Sequence, residues 1–309
     1  MLYKDFFLKK GDVIGAIAPA SFVTEDQIQK ICTLVEKEGY KLKIAKNASL
    51  QWGYLAGNDQ ERAQGTMELW RDPQVKILWC LRGGFGSAKI LPLIDFDTVL
   101  NKKKALVGMS DITALHLAFL NRMRFPSFLA PNLTLLLKED PDSTKMKQDV
   151  FSSLQSPSRY FSIMKGGEKG GKILNYGRGL GEFIGGNLTV LCSLVGTKWF
   201  PCLKNKILLL EDVNEAPYRI DRMLFQLEEV GVLKSLSGLI FASFDRCHAE
   251  DSSKSLDLET IFKIYVKDKK YPVLLGYPSG HLPFQKTLAC GLMAELVLSY
   301  ETTMLKFQI

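Results

Sequence analysis

Between Asp12 and Ala45 the chain reads strand, helix, strand, and this opening limits its folds more than any other stretch. Asp12 to Ala18 is a short apolar run ending at Pro19, which predicts a strand buried on both faces. Thr24 with Gln27 three residues on is a capping box. Ile28, Ile31, Leu34 and Val35 then recur at helical spacing until Gly39, and Tyr40 to Ala45 alternates as a strand does. Strands joined through a helix pair in parallel, with helices packed on the sheet. The pattern repeats as a helix from Gln60 to Trp70, closed by Asp72-Pro73, and a buried strand from Val75 to Leu81. The expectation is an α/β protein that begins with a parallel-sheet, Rossmann-like domain.

A length of 309 residues allows one large or two medium domains. Lys138 to Gly171 is rich in Lys, Asp, Ser and Pro, with paired glycines near its end. The segment 141–171 is therefore expected to be a peripheral linker between a first domain (1–140) and a second (172–309). In the second, Gly177, Gly179, Gly181, Gly185 and Gly186 lead to Asn187, which can cap a helix that Gly196 closes. Strands are expected at Ile207–Leu210, Leu236–Phe244 and Tyr271–Gly276, with helices at Tyr218–Val230 and Lys254–Lys267. Leu288–Leu296 and Thr303–Phe307 read as closing β elements, so this half should be mixed α/β with a β-rich core.

Several function classes fall away. The net charge of +7 is mild for this length, and no Lys/Arg cluster is interleaved with aromatics, so no nucleic-acid partner is expected. Val13 to Ala20 is too short to span a bilayer, and Met1 to Lys10 has no apolar core of a signal peptide. No membrane association is expected, and the cytoplasm is the expected location. The six cysteines form no Cys-x-x-Cys pair and read as buried free thiols. Only three histidines exist, none spaced to ligate with a neighbour, so neither a metal nor another cofactor is expected.

Chemistry concentrates in a few turns. Ala105-Leu-Val107 is a strand, Gly108 a turn, and Leu115, Leu117, Ala118, Phe119 and Leu120 a helix. Ser110 sits between them, like the nucleophile elbow of serine hydrolases but without Gly-x-Ser-x-Gly. The N–H groups of the helix start favour a developing oxyanion. The plainer reading is that Ser110 or Asp111 only caps the helix. Arg82-Gly83-Gly84-Phe85-Gly86-Ser87 follows a strand and supplies either a wall of N–H donors or a simple turn; it lacks the dinucleotide spacing. A serine nucleophile needs an imidazole and an orienting acid. His116 lies on the helix after Ser110 and points elsewhere; His248 lies in a charged loop; His281 follows a buried strand in a Gly- and Pro-containing loop. Glu211 directly follows four aliphatics, and is either a solvated strand end or a partly buried acid bonded to His281.

The order and spacing of these pieces resemble the LD-carboxypeptidase family of serine peptidases, which includes muropeptide LD-carboxypeptidases and microcin C self-immunity proteins. The resemblance rests on Gly11–Ser21, Arg82–Gly86, Gly108–Thr113, Gly185–Thr189, Leu210–Glu215 with Tyr218–Arg222, and Gly276–His281. It implies a Ser110–His281–Glu211 triad assembled from two domains. It also implies an oxyanion hole from the N–H of Asp111 and of Gly84 or Gly83, and a homodimer. The implied activity releases terminal D-alanine from murein tetrapeptides. Arg82, Arg178 and Arg222 are candidates for the substrate carboxylate, and Phe85 stands where relatives often carry Tyr. Leu129-Ala130-Pro131 replaces a His-Gly-Pro-like segment of many relatives. Two other functions stay open. One is a microcin C-type amidase, for which Trp199 or Trp52 could stack a base although core packing is the default for each. The other is a peptide-binding protein without turnover.

Overall fold

The computed structural model describes residues 6–123, 127–156, 161–164 and 171–308. The opening motif forms as expected. β1 (Val13–Ile17), α1 (Glu25–Lys37) and β2 (Lys41–Ile44) make a parallel unit, and both arms of the Thr24–Gln27 capping box are present. α2 (Asp59–Arg71) and β3 (Val75–Cys80) follow, then the short helices α3 (Ser87–Ile90) and α4 (Phe96–Lys102). β4 (Ala105–Gly108), α5 (Thr113–Met123) and β5 (Ser127–Leu129) complete five parallel strands. Apart from the edge strand β2, whose Lys41 and Lys43 alternate with Leu42 and Ile44, these strands are almost wholly buried on both faces, as a sheet covered by helices requires.

Residues 141–171, expected as a linker, begin with α6 (Pro141–Gln155), capped by Asp140. Met146, Val150, Phe151 and Leu154 are buried, and Phe151 lies edge-on to Trp79 and stacked on Tyr40. Its charges, Asp142, Lys145, Lys147 and Asp149, lie outside this buried stripe, and averaging them in hid the stripe in the composition. Residues 157–160 and 165–170 of that segment, and 124–126 of the stretch before β5, lie outside the described residues.

The second sheet has eight strands in the order β6-β14-β13-β8-β9-β10-β11-β7. These are β6 (Phe161–Met164), β7 (Lys172–Asn175), β8 (Gly177–Asn187), β9 (Ile207–Val213), β10 (Gly238–Asp245), β11 (Val273–Leu275), β13 (Met293–Leu298) and β14 (Thr303–Phe307). β8 through β11 run parallel, and the others join antiparallel. The helices α7 (Leu188–Leu194), α8 (Pro217–Glu229) and α9 (Leu258–Val266) connect or flank the parallel strands. The expected mixed, β-rich second half is thus present. Its glycine-rich entry, for which the sequence suggested no element, is the longest strand of the sheet.

Several contacts fasten the halves, two of them close to strand ends. β12 (Leu288–Cys290) leaves the second half and pairs antiparallel with β5 at the edge of the first sheet. The backbone N–H of Asn187, at the end of β8, donates to Thr113 Oγ1 at 2.9 Å, at the start of α5. Among the described residues, no helix is long and apolar enough to cross a membrane.

Candidate active site

Both sheets present the C-terminal ends of their parallel strands to this joint, where ligand sites of open α/β sheets gather. β4 ends at Gly108, Met109 is extended, and Ser110 takes φ 65° before a short 3-10 turn enters α5. A left-handed conformation costs a residue with a Cβ about 1–2 kcal/mol, so the surroundings must hold it. Asn132 does so from one side. Its Oδ1 accepts the Met109 N–H at 3.2 Å and its Nδ2 donates to the Met109 carbonyl at 3.4 Å.

His116 does so from another side. Gly108 O, 2.9 Å from Nε2, can only accept, so Nε2 carries the proton and Nδ1 accepts from the Ser127 hydroxyl at 2.8 Å. Burial pulls the His116 pKa down to about 4, against the Gly108 hydrogen bond. The ring is a neutral structural strut, pointing away from Ser110 as expected.

Glu211 extends the aliphatic run of β9 and is fully buried, not a solvated strand end. Strand alternation turns it to the opposite face from Asp212. Asp212 is taken up by Asn187 Nδ2 at 2.9 Å and by the N–H and hydroxyl of Thr189 at 2.9 and 2.8 Å. Glu211 instead meets the loop after β11. That loop is tied to β10 by Gly276 N–H to Phe241 O (2.7 Å) and Ser243 N–H to Ser279 O (3.1 Å). Gly280, at φ 108°, lies so close that a Cβ there would be 2.8 Å from Glu211 Cβ.

The next residue, His281, brings Nδ1 to 2.6 Å from Glu211 Oε2 and Nε2 to 3.2 Å from Ser110 Oγ. The carboxylate accepts, so Nδ1 carries the proton and Nε2 faces the serine hydroxyl as acceptor. Burial acts to lower the His281 pKa. The Glu211 hydrogen bond and charge, with the charges of Asp212 and Asp245, outweigh it and leave the pKa above the usual 6.5. The other Glu211 oxygen is buried with no hydrogen-bond partner among the described residues.

The glycine loop closes the third side. A Cβ at Gly83 would stand 3.0 Å from Ser110 Cβ, so the backbone passes directly beside the serine. Gly83 O accepts from Ser21 N–H at 3.2 Å, and Gly84 takes φ 107° with a Cβ position only 2.1 Å from Ser21 Oγ. Two buried charges lock the loop. Asp111 carboxylate accepts the N–H of Ser87 at 2.8 Å and that of Gly86, while Arg62 Nη1 donates to Pro19 O at 2.5 Å and Gly86 O at 2.7 Å. Burial pushes the Asp111 pKa up, while the Ser87 and Gly86 hydrogen bonds and the Arg62 charge oppose it.

The other residues singled out scatter. Arg82 is exposed near the Phe22 carbonyl, and Phe85 is 53% exposed, edge-on to Tyr54. Arg178 cannot serve the site. It pairs with Glu295 at the far end of β8, nine residues and about 30 Å of strand from Asn187. Arg222 is exposed on α8. Trp199 packs on Phe96 as a core residue would, but Trp52 is 57% exposed, contrary to the default reading. His248 is exposed in its loop. All six cysteines are free, yet Cys202 is exposed and Cys32 half-buried, so only four are buried thiols. Arg62 and Asn132 were not among the residues singled out. Arg62 reads as an ordinary helix charge, and the only signal for Asn132 was its place after the departing Leu129-Ala130-Pro131 segment.

A family model described as the LD-carboxypeptidase N-terminal domain matches residues 14–130, and one described as the C-terminal domain matches residues 180–296. The chain is 32% identical to a Bacillus subtilis protein named "Probable murein peptide carboxypeptidase", over 98% of this chain and 94% of that one. It is 31% identical to the murein tetrapeptide carboxypeptidase of Pseudomonas aeruginosa, over 87% of each. The crystal structure of muramoyltetrapeptide carboxypeptidase from Oxalobacter formigenes superposes with a TM-score of 0.84 at 28% identity, covering 96% of this chain and 99% of that one. The microcin C7 self immunity protein MccF gives 0.87 at 21% identity over 98% of each, a likeness of fold alone. The chain is thus an enzyme, a serine carboxypeptidase, and it belongs to the LD-carboxypeptidase family.

Proposed function

We propose that this enzyme hydrolyses the amide joining an L-centre to the terminal D-alanine of murein tetrapeptides, with Ser110 as nucleophile, His281 as base and Glu211 as its orienting acid. The carrying observation is the unbroken chain of contacts from Ser110 Oγ to His281 (3.2 Å) and on to Glu211 (2.6 Å), drawn from two sheets. His281 Nε2 takes the hydroxyl proton as Ser110 Oγ attacks the carbonyl carbon. The imidazolium that forms is stabilised by Glu211 and then protonates the departing D-alanine nitrogen. Water, activated by the same ring, breaks the acyl-Ser110 ester.

The oxyanion is received by the N–H of Asp111, at the positive start of α5, and by that of Gly84. A trans peptide points its C=O and N–H in opposite directions. Gly83 O is turned to Ser21, so the Gly84 N–H faces away from Ser21, which favours Gly84 over Gly83. Arg82 and Phe85, exposed on this loop, are assigned to the substrate-binding rim. The names of the relatives support a muropeptide substrate, and a cytoplasmic homodimer belongs to the same reading. The test is D-alanine release from purified tetrapeptide by wild type and Ser110→Ala. Release by wild type alone is expected. Release by both rejects Ser110 as nucleophile. Hydrolysis of an aminoacyl-sulfamoyl-adenylate in place of the peptide would reassign the enzyme to the immunity type, and binding without cleavage of either to the non-catalytic one.

A further inference from the structure

Ser110 follows β4 and the glycine loop follows β3, yet an oxyanion hole needs its donors fixed relative to the nucleophile to about 0.5 Å. Gly83, Gly84 and Gly86 give the loop little stiffness of its own, since glycine passes freely between negative and positive φ. Its shape must be imposed by neighbours. Upstream of Gly84, the Gly83 carbonyl is held by the Ser21 N–H at 3.2 Å. Downstream, the anchor is the residue next to the nucleophile.

The Asp111 side chain reaches from the elbow to the far end of the loop. Its carboxylate accepts the N–H of Ser87 at 2.8 Å and that of Gly86, while its carbonyl accepts the Ser87 hydroxyl at 2.6 Å. Ser87 is thus gripped at two points by one residue. Among the described residues, these bonds go to the loop and the start of α3, whereas a helix cap would bond the first N–H groups of α5. A carboxylate buried to this degree is costly unless it is well bonded, and its charge strengthens the bonds it accepts. Arg62, also buried, holds the Gly86 carbonyl at 2.7 Å. Gly86 is therefore clamped through both its N–H and its C=O.

We propose that the Asp111 side chain is a positioning residue: by gripping Gly86 and Ser87 from the position next to Ser110, it makes the glycine loop and the nucleophile elbow one rigid unit and so fixes the Gly84 N–H relative to Ser110. This rests on the reading of Ser110 as nucleophile and of the Asp111 and Gly84 N–H groups as oxyanion donors, and adds the side chain that keeps them in register.

The test is the steady-state kinetics of D-alanine release from the tetrapeptide. Asp111→Ala keeps the backbone N–H of residue 111 and removes the grip. Its kcat should fall roughly 10²-fold, as for a misplaced donor, with KM changed by no more than about threefold. Asp111→Asn, which keeps one neutral acceptor oxygen, should recover about tenfold of that loss. In a Ser110→Ala background, calorimetric affinity for the tetrapeptide should be the same with Asp or Ala at 111. Wild-type kcat in Asp111→Ala, or an affinity that falls as far as kcat, overturns the inference. Should circular dichroism show Asp111→Ala unfolded, Ser87→Ala decides. It loses only the hydroxyl bond to the Asp111 carbonyl and should lose about 3- to 10-fold in kcat at unchanged KM; an unaltered kcat overturns the inference. If wild type releases no D-alanine, the substrate reading fails, and an alkyl fluorophosphonate replaces the peptide. Its P–F bond breaks as Ser110 Oγ bonds to phosphorus and the hydroxyl proton passes to His281, so labelling needs the oxyanion donors but no murein peptide. Asp111→Ala should label roughly 10²-fold more slowly than wild type. Equal rates, or no labelling of wild type, overturn the inference.

Discussion

Gly280→Ala asks whether the close approach of the β11 loop to Glu211 sets the whole relay. At φ 108° a side chain costs about 1–3 kcal/mol in backbone strain. The new Cβ would also stand 2.8 Å from Glu211 Cβ and 2.9 Å from Oε2. Overpacking of that kind costs a further ~1–3 kcal/mol if nothing moves. β9 cannot retreat, because it is hydrogen-bonded between β8 and β10. The loop is held by scattered bonds such as Ser243 N–H to Ser279 O and Lys286 N–H to Pro278 O, so the loop lifts. A lift of about 1 Å pulls His281 off Glu211 and off Ser110, and misplacement by that distance typically costs about 100-fold in rate. Complete loss of the orienting acid raises the cost to about 10⁴-fold. The expected result is a fall of about 10²- to 10⁴-fold in kcat/KM for D-alanine release. Because the loop relieves the clash, the unfolding temperature should drop by no more than roughly 5–10 °C. Gly196→Ala is the control: it has the same left-handed strain, φ 84°, with nothing within 4 Å of the new Cβ. It should keep wild-type turnover. Full turnover in Gly280→Ala, or an equal loss in Gly196→Ala, refutes the reasoning.

Three further outcomes follow from the site. Ser110→Ala should lower D-alanine release by at least about 10⁴-fold while leaving the circular dichroism spectrum unchanged; ordinary turnover would dismiss the nucleophile. In Glu211→Gln, kcat should fall by about 10⁴-fold, and the acid limb of the pH–rate profile should also move. Neutral His281 is the active form, so the wild-type rate is lost as pH drops through a pKa held above 6.5; without the Glu211 charge, burial prevails and the limb shifts to lower pH. An unmoved limb would show that Glu211 does not set the imidazole. His116 predicts a stability effect. Its pKa of about 4 in the folded chain lies below the 6.5 of the unfolded chain, so unfolding takes up a proton between those values. Stability is therefore full above pH 6.5 and declines by about 3 kcal/mol as pH falls to 4. Denaturant melts of His116→Gln should lack that component, and parallel pH curves for the two proteins would contradict it.

Much of the fold was legible because apolar periodicity and caps agree locally. Thr24–Gln27, the Val75–Leu81 run and Ile220, Leu224 and Leu227 each announce one element and its buried face. What failed did so for physical reasons. α6 keeps its charges off its buried stripe, and composition averages over both faces. β8 went unassigned because glycine is depleted in strands, yet a Cβ at Gly179 would lie 1.9 Å from the Ser237 carbonyl oxygen and one at Gly181 2.3 Å from that of Asn205. Neighbouring backbone excludes side chains there, and that neighbour is distant in sequence. The turn at Ser110 and the loop at His281 were visible locally as strand ends. Their meeting was not, since it depends on how two sheets dock, and the residues alone left Glu211 with two readings. Arg62 and Asn132 act through backbone carbonyls and amides of remote segments, which leave no mark in side-chain spacing.

The edge position of β12 reaches beyond the finished enzyme, into the order of events on the ribosome. The first sheet can assemble once β5 has emerged, but the strand that covers β5 is completed only at Cys290, about 160 residues later. At roughly 5–20 residues per second, that leaves an open strand edge for about 10 to 30 seconds. Open edges recruit other chains, so nascent molecules of this protein pass through a period in which crowding and slow translation favour misassociation.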